Sequence, residues 1–140
     1  MPRKWLSHVA VAVSLLVIVA ACEGGYTASG SRESSSVGGQ GGWVEKRIKS
    51  ANGSATQGIE IGGSGLRLET DVNLAVGEGT FTIELLDADG NVTLSLQATP
   101  GEPASGRGYM EVDFDEAEYR VTAEEAKDVY YRLEFVFTRP

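Results

Sequence analysis

From Leu66 onward, apolar and polar residues alternate with a period of two, the spacing of strands that bury one face. Leu66, Leu68, Val72, Leu74 and Val76 fall on one side with Thr70, while Arg67, Glu69, Asp71 and Asn73 fall on the other. Phe81, Ile83 and Leu85 then alternate with Thr80, Thr82 and Glu84. Asp89-Gly90 separates this run from Val92, Leu94, Leu96 and Ala98. Asp-Gly is a favoured two-residue hairpin turn because both positions tolerate positive φ. Such a turn sets Leu85 opposite Leu94, Ile83 opposite Leu96 and Phe81 opposite Ala98, with Glu84 against Ser95 and Thr82 against Gln97 outside. A slip of one residue would place apolar groups opposite polar ones, so turn and pattern select the same register.

Further along, Met110, Val112 and Phe114 alternate with Glu111 and Asp113. An acidic turn from Asp115 to Glu118 leads to Tyr119 and Val121, which alternate with Arg120 and Thr122. A last strand places Val129, Tyr131, Leu133, Phe135 and Phe137 on one face, against Tyr130, Arg132, Glu134 and Thr138. Ahead of these, Ile59 and Ile61 make a short strand between Gly58 and Gly62. Trp43 to Lys49 fits either a helix or a strand, and Asn52-Gly53 behind it favours a strand followed by a turn. No long helical segment stands out. The pattern predicts an all-β domain over residues 43–140. The expected fold is an antiparallel β-sandwich of about seven strands, immunoglobulin-like, with a small barrel as the other way to close the sheet.

The first 42 residues have a different character. Arg3 and Lys4 are followed by an apolar run from Val9 to Ala21, broken only by Ser14. A membrane-spanning helix needs about 20 residues, so this run suits the core of a secretory signal peptide, residues 1–21. It ends in Val19-Ala20-Ala21-Cys22, which resembles the lipobox of bacterial prolipoproteins. The resemblance implies that Cys22 is lipidated and becomes the new N-terminus. Cys22 is also the only cysteine, so no internal disulfide can form. Residues 23–42 hold 7 glycines and 5 serines with few apolar groups. That composition predicts that residues 22–42 are a flexible tether, with an r.m.s. reach of roughly 25 Å.

Charge and inventory narrow the chemistry. The chain carries 12 basic and 20 acidic residues, and loss of Arg3 and Lys4 leaves 10 basic ones, a net charge of about −10. Such a surface repels phosphate, which argues against nucleic acid, and repels anionic lipid heads, so attachment to a membrane falls to the lipid on Cys22. His8, the only histidine, lies in the predicted signal peptide. A histidine-assisted serine or cysteine nucleophile is therefore unavailable to the exported domain, as is a zinc or copper site built from His and Cys. Glu111, Asp113, Asp115, Glu116 and Glu118 read as a solvated face. No enzyme and no cofactor is expected. Asp87, Asp89 and Asn91 resemble the opening of a calcium loop, but Gly90 falls where a hairpin turn needs it, and the turn is the preferred reading. Glu124, Glu125 and Asp128 form a second acidic group.

From Leu66 onward the chain is also similar to the domains of small bacterial lipoproteins of uncharacterised role. The shared features are Thr80-Phe81-Thr82-Ile83, the Asp87-Ala88-Asp89-Gly90-Asn91 turn and Tyr119-Arg120-Val121. This likeness is one of hairpin grammar and carries no site with it. Two functions remain. The first is a non-enzymatic module docking an envelope protein through loops or an edge strand, lipid-anchored at the cell membrane or outer membrane on its extracytoplasmic side. The alternative is a carbohydrate-binding module in which outward Tyr109 and Tyr130 stack on sugar rings.

Overall fold

A computed structural model describes residues 25–63 and 65–139; the predicted signal peptide and Cys22 lie outside them. The fold is all-β and antiparallel. Its strands are β1 (Thr27–Ser29), β2 (Arg32–Val37), β3 (Gly41–Glu60), β4 (Arg67–Ala75), β5 (Glu78–Leu86), β6 (Val92–Ala98), β7 (Ala104–Glu111) and β8 (Glu116–Thr138).

Three long tracks organise the sandwich. β3 runs along one side of β8, while β4 and β5 lie end to end along its other side. Midway, all three break their alternation. On β8 the buried residues Ala123, Ala126 and Val129 are three apart instead of two, with Glu125 (φ 49°) and Asp128 (φ 55°) in the left-handed region between them. Against β8, the register of β3 shifts between Ala51 and Gly53, and that of β5 shifts between Glu78 and Thr80. Bulges at one level on neighbouring strands bend the sheet, and here they fold it over into two layers.

One layer contains β2, the first half of β3, the second half of β8, β4 and β7. The other contains the second half of β3, the first half of β8, β5 and β6. Phe81 of the second layer stacks on Tyr131 of the first with ring centroids 5.8 Å apart, and the Tyr119 and Tyr131 hydroxyls meet across the layers at 2.8 Å. Around them Leu68, Leu85, Met110 and Leu133 are fully buried. The apolar faces read from the alternation supply this core, and its burial is the main favourable term in folding.

The β5–β6 hairpin has the register that the sequence predicts, Phe81 opposite Ala98 through Leu85 opposite Leu94. Its turn is wider than a two-residue loop. The Asp87 N–H donates to the Asn91 carbonyl, and the Gly90 N–H donates to the Asp87 carbonyl. Gly90 has φ 84°, while Asp89 keeps negative φ, and a bulge between Leu85 and Leu86 absorbs the difference.

Other expectations are corrected. Residues 27–37 are not a flexible tether, because β1 and β2 pair with the outer edge of β3 from Asn52 to Gly42. Backbone bonds to a waiting edge need no apolar side chains, and every residue of β2 is exposed. The ordered domain accordingly begins before residue 43. Asn52-Gly53 is a bulge within β3 and not a turn after it, so Ile48 and Ile59 lie on one strand. Tyr119–Val121 and Val129–Phe137 likewise belong to the single strand β8. Phe114 does not face the core. It sits at the β7–β8 turn with φ 51° and is 88% exposed.

Candidate functional site

Folding the sheet at its middle leaves the two layers unequal in width. On the side of β2, the first layer extends one strand beyond the second, which ends at the second half of β3. Among the described residues, no strand pairs with the outer edge of β3 beyond Asn52.

The bonding of that edge follows from the ladder. Ile61 N–H donates to the Asp115 carbonyl at 2.8 Å. Bonded pairs in an antiparallel ladder recur at every second residue, so Ile59, Gln57 and Ala55 turn their backbone groups toward β8. Ser54, Thr56, Gly58 and Glu60 turn theirs outward. Thr56, Gly58 and Glu60 are also exposed as whole residues.

Beside this edge lies a cleft of about 290 Å³, overhung by Glu33, Ser35 and Val37 of β2 and lined on the other side by Gln57 to Glu60, with Val44 and Tyr119 at its floor. Glu33 is paired with Lys46 at 3.2 Å. Tyr119 and Tyr131 are 2% and 1% exposed, and their hydroxyls bond only each other among the described residues. Two hydroxyls sharing one bond leave one hydrogen without an acceptor. Burial raises the pKa of both, and burial also raises that of Tyr26, which packs against the core. At the far end of the same edge, the turn carrying Phe114 is tied to β3: the Gly62 N–H also donates to the Asp115 carbonyl, at 3.1 Å.

Tyr109 and Tyr130 do point outward from the first layer, but neither offers a bare ring. The Arg67 guanidinium carbon lies 4.1 Å from the Tyr109 ring centre, and that of Arg47 lies 4.5 Å from Tyr130. Trp43, on the same face, is covered by Arg132 at 4.6 Å. Carboxylates complete the set. Arg67 bonds Glu111 at 3.1 Å, Arg132 bonds Glu45 at 3.3 Å, and the Tyr130 hydroxyl donates to Glu45 at 2.8 Å, which holds its pKa up. A sugar stacking on either tyrosine face so covered would first displace a cation–π contact worth about 0.5–1 kcal/mol.

The Asp87, Asp89 and Asn91 loop is occupied by its own backbone. Asp87 Oδ1 accepts from the N–H groups of Asp89 at 2.9 Å and Asn91 at 2.8 Å, and Oδ2 accepts from Asn91 Nδ2 at 3.2 Å. These donors, the Asn91 N–H first, hold the Asp87 carboxyl below its ordinary value. A depressed carboxylate adds stability above the unfolded pKa of about 4 and loses it as pH falls through the folded value. Asp87→Ala is therefore expected to melt at a lower temperature than the parent at pH 7 and at the same temperature near pH 2; an equal deficit at both would remove the carboxylate's role. Glu124, Glu125 and Asp128 lie along the bulged stretch of β8, with the Glu125 N–H bonded to Asn52 Oδ1 at 3.1 Å. Among the described residues, no group of three or more His, Cys, Asp or Glu is placed to hold a metal ion.

The edge of β3 and Phe114 were missed in the sequence. Asn52-Gly53-Ser54-Ala55-Thr56-Gln57-Gly58 has the composition of a loop, which hid a strand, and Phe114 fits the alternation of the strand before it.

No protein-family model matches the chain, and no curated protein does. Among solved structures, it is similar to the CBM22-1 xylan-binding domain of Paenibacillus barcinonensis Xyn10C, at 16% identity over 81% of this chain and 85% of that one, with a TM-score of 0.40. A second is the carbohydrate binding module CBM6cm-2 of Cellvibrio mixtus lichenase 5A, at 13% identity, covering 81% and 91%, with a TM-score of 0.39. A third is a structure of Bacillus endospore appendages, at 11% identity, covering 74% and 93%, with a TM-score of 0.42. All three lie below a TM-score of 0.5, and the fold described above stands on the chain's own strand pairing.

Proposed function

We propose that this chain is a non-catalytic docking module of the bacterial cell envelope, anchored by a lipid on Cys22, that takes a strand of a partner protein onto the outer edge of β3. The observation that carries the reading is a strand position left open among the described residues: outward backbone groups at Thr56, Gly58 and Glu60, roofed by β2, beyond the point where Gly25 and Tyr26 lie against Gly53. A strand added there would pair its backbone with β3 and bury one face against Glu33, Ser35 and Val37, whereas a strand added outside β2 would bury neither face. With β1 starting at Thr27, at most about 14 Å of extended chain separates Cys22 from Tyr26, so the lipid would hold the domain against the bilayer surface.

Thr56→Pro tests the docking. Thr56 directs its N–H away from β8, so proline there removes a donor from the free edge while leaving the β3–β8 ladder intact. Crosslinking on intact cells followed by mass spectrometry is expected to recover one partner with the parent chain and to lose it with Thr56→Pro, at an unchanged circular dichroism spectrum. Equal recovery with both sinks edge docking. Incorporation of a labelled fatty acid that disappears in Cys22→Ser tests the anchor separately.

A glycan in the cleft is the second reading, favoured by the polar lining of Glu33, Ser35 and Gln57 and by the spare hydroxyl hydrogen of the tyrosine pair. It relies on side chains, so binding would survive Thr56→Pro.

A further inference from the structure

We infer that the strand accepted by the edge of β3 is a basic one, with lysine or arginine at alternate positions, small polar residues between them, and an apolar residue where it passes Phe114. The inference rests on the strand-addition reading and assigns the chemistry of its partner.

The two faces of the incoming strand meet different surroundings. Side chains on its outward face would run beside Thr56, Gly58 and Glu60, whose β8 neighbours are Arg120, Glu118 and Glu116. Glu60, Glu116 and Glu118 form no ion pair among the described residues, and the Glu116 carboxylate lies over Gly58, where an added Cβ would come within 2.3 Å of it. Arg120 is turned to Glu84 of β5 at 2.8 Å, away from the edge. An acidic strand would therefore stand beside like charges, and so would a second copy of this chain, which would bring the same three glutamates. Side chains on the inward face would meet Glu33, already paired with Lys46, with Ser35 and Tyr119, which suits small hydroxyl-bearing residues.

Phe114 supplies a separate observation. It is held in the left-handed region at φ 51° and 88% exposed, which costs a non-glycine residue about 1 kcal/mol of backbone strain and gains no burial within the fold. A partner strand could cover that ring, because Phe114 precedes Asp115, whose carbonyl accepts from Ile61 and Gly62 at the end of the edge left open among the described residues.

The test uses the purified full chain in detergent and two nine-residue peptides. One alternates lysine with threonine and ends in leucine; the other replaces each lysine with glutamate. The first is expected to bind at least about tenfold more tightly, to weaken as salt rises, and to slow amide exchange at Thr56 and Gly58. Glu60→Lys with Glu116→Lys is expected to reverse the preference, and Phe114→Ser to weaken the lysine peptide about fivefold without lowering the melting temperature. If the two peptides bind equally and both protect Thr56 and Gly58, the basic partner is overturned while strand addition stands. If neither binds and Thr56→Pro still abolishes capture in cells, the chemistry proposed here falls alone. Edge amides already protected in the free chain, by its own N-terminal residues or by a second copy, would overturn both.

Discussion

Gly79→Ala is expected to cost roughly 3 kcal/mol or more, enough to unfold a large fraction of a domain whose total stability is about 5–15 kcal/mol. Gly79 has φ 73°, and a Cβ there would lie 2.2 Å from the Glu125 carbonyl oxygen and 2.4 Å from that of Glu124. The backbone strain alone is about 1–2 kcal/mol. The larger part comes from the overlap, because both oxygens belong to the bulge that bends β8 and cannot retreat without straightening it. Nearby, the Gly77 N–H donates to the Lys127 carbonyl at 2.9 Å, so β5 is fastened to the same corner. Gly90→Ala is the control: its φ is 84°, but nothing lies within 4 Å of the added Cβ, so only the strain applies. Urea unfolding of both variants measures the difference. Equal losses would mean that the corner is not packed as described.

The same corner separates what the sequence makes legible from what it hides. Side-chain alternation fixes which face of a strand is buried, and Phe81, Ile83, Leu85 and Tyr131 are buried where alternation puts them. Burial passes through Ala123, Ala126 and Val129 at a spacing of three, a break in alternation that reads as a loop because Glu124, Glu125, Lys127 and Asp128 surround it. The strands on either side therefore looked separate, although pairing with β3 resumes on both sides of the bulges and β8 is one strand. β2 was hidden for a related reason. Its contribution is backbone hydrogen bonding to β3, to which the identities of Ser34, Ser35 and Ser36 are nearly indifferent. The proposed docking edge combines both difficulties, being a strand of loop-like composition defined by the neighbour it lacks among the described residues. Tyr109 and Tyr130 show the converse: their outward direction was legible, but the arginines that cover them come from other strands. Arg67 reaches Tyr109 from β4, and Arg47 reaches Tyr130 from β3. Direction is local and coverage is tertiary.

Alkaline pH is expected to unfold this protein cooperatively, through the pair Tyr119 and Tyr131. Burial is the first cause raising both hydroxyls above their ordinary pKa of about 10, so the folded state keeps two protons that the unfolded state releases. A pKa raised on folding contributes stability that is complete below the unfolded value and is lost as pH rises above it. Each tyrosine then removes about 1.4 kcal/mol per pH unit, so the pair removes about 2.7 kcal/mol per pH unit above pH 10. Tyrosinate absorbance should accordingly rise in a sharp step coinciding with loss of the β-sheet signal. Tyr119→Phe with Tyr131→Phe should blunt that step and move it to higher pH. The variants also resolve how the pair is held. Tyr119→Phe alone removes the Tyr131 hydroxyl's one partner among the described residues, at a cost of about 1–3 kcal/mol, and the double variant recovers much of it because neither hydroxyl remains. Tyr131→Phe should cost less, since Tyr119 lines the cleft and can turn to whatever polar group enters there. An alkaline transition at the same pH in the parent and the double variant would show that these tyrosines do not govern it, and would remove the tyrosine pair from the account of the cleft floor.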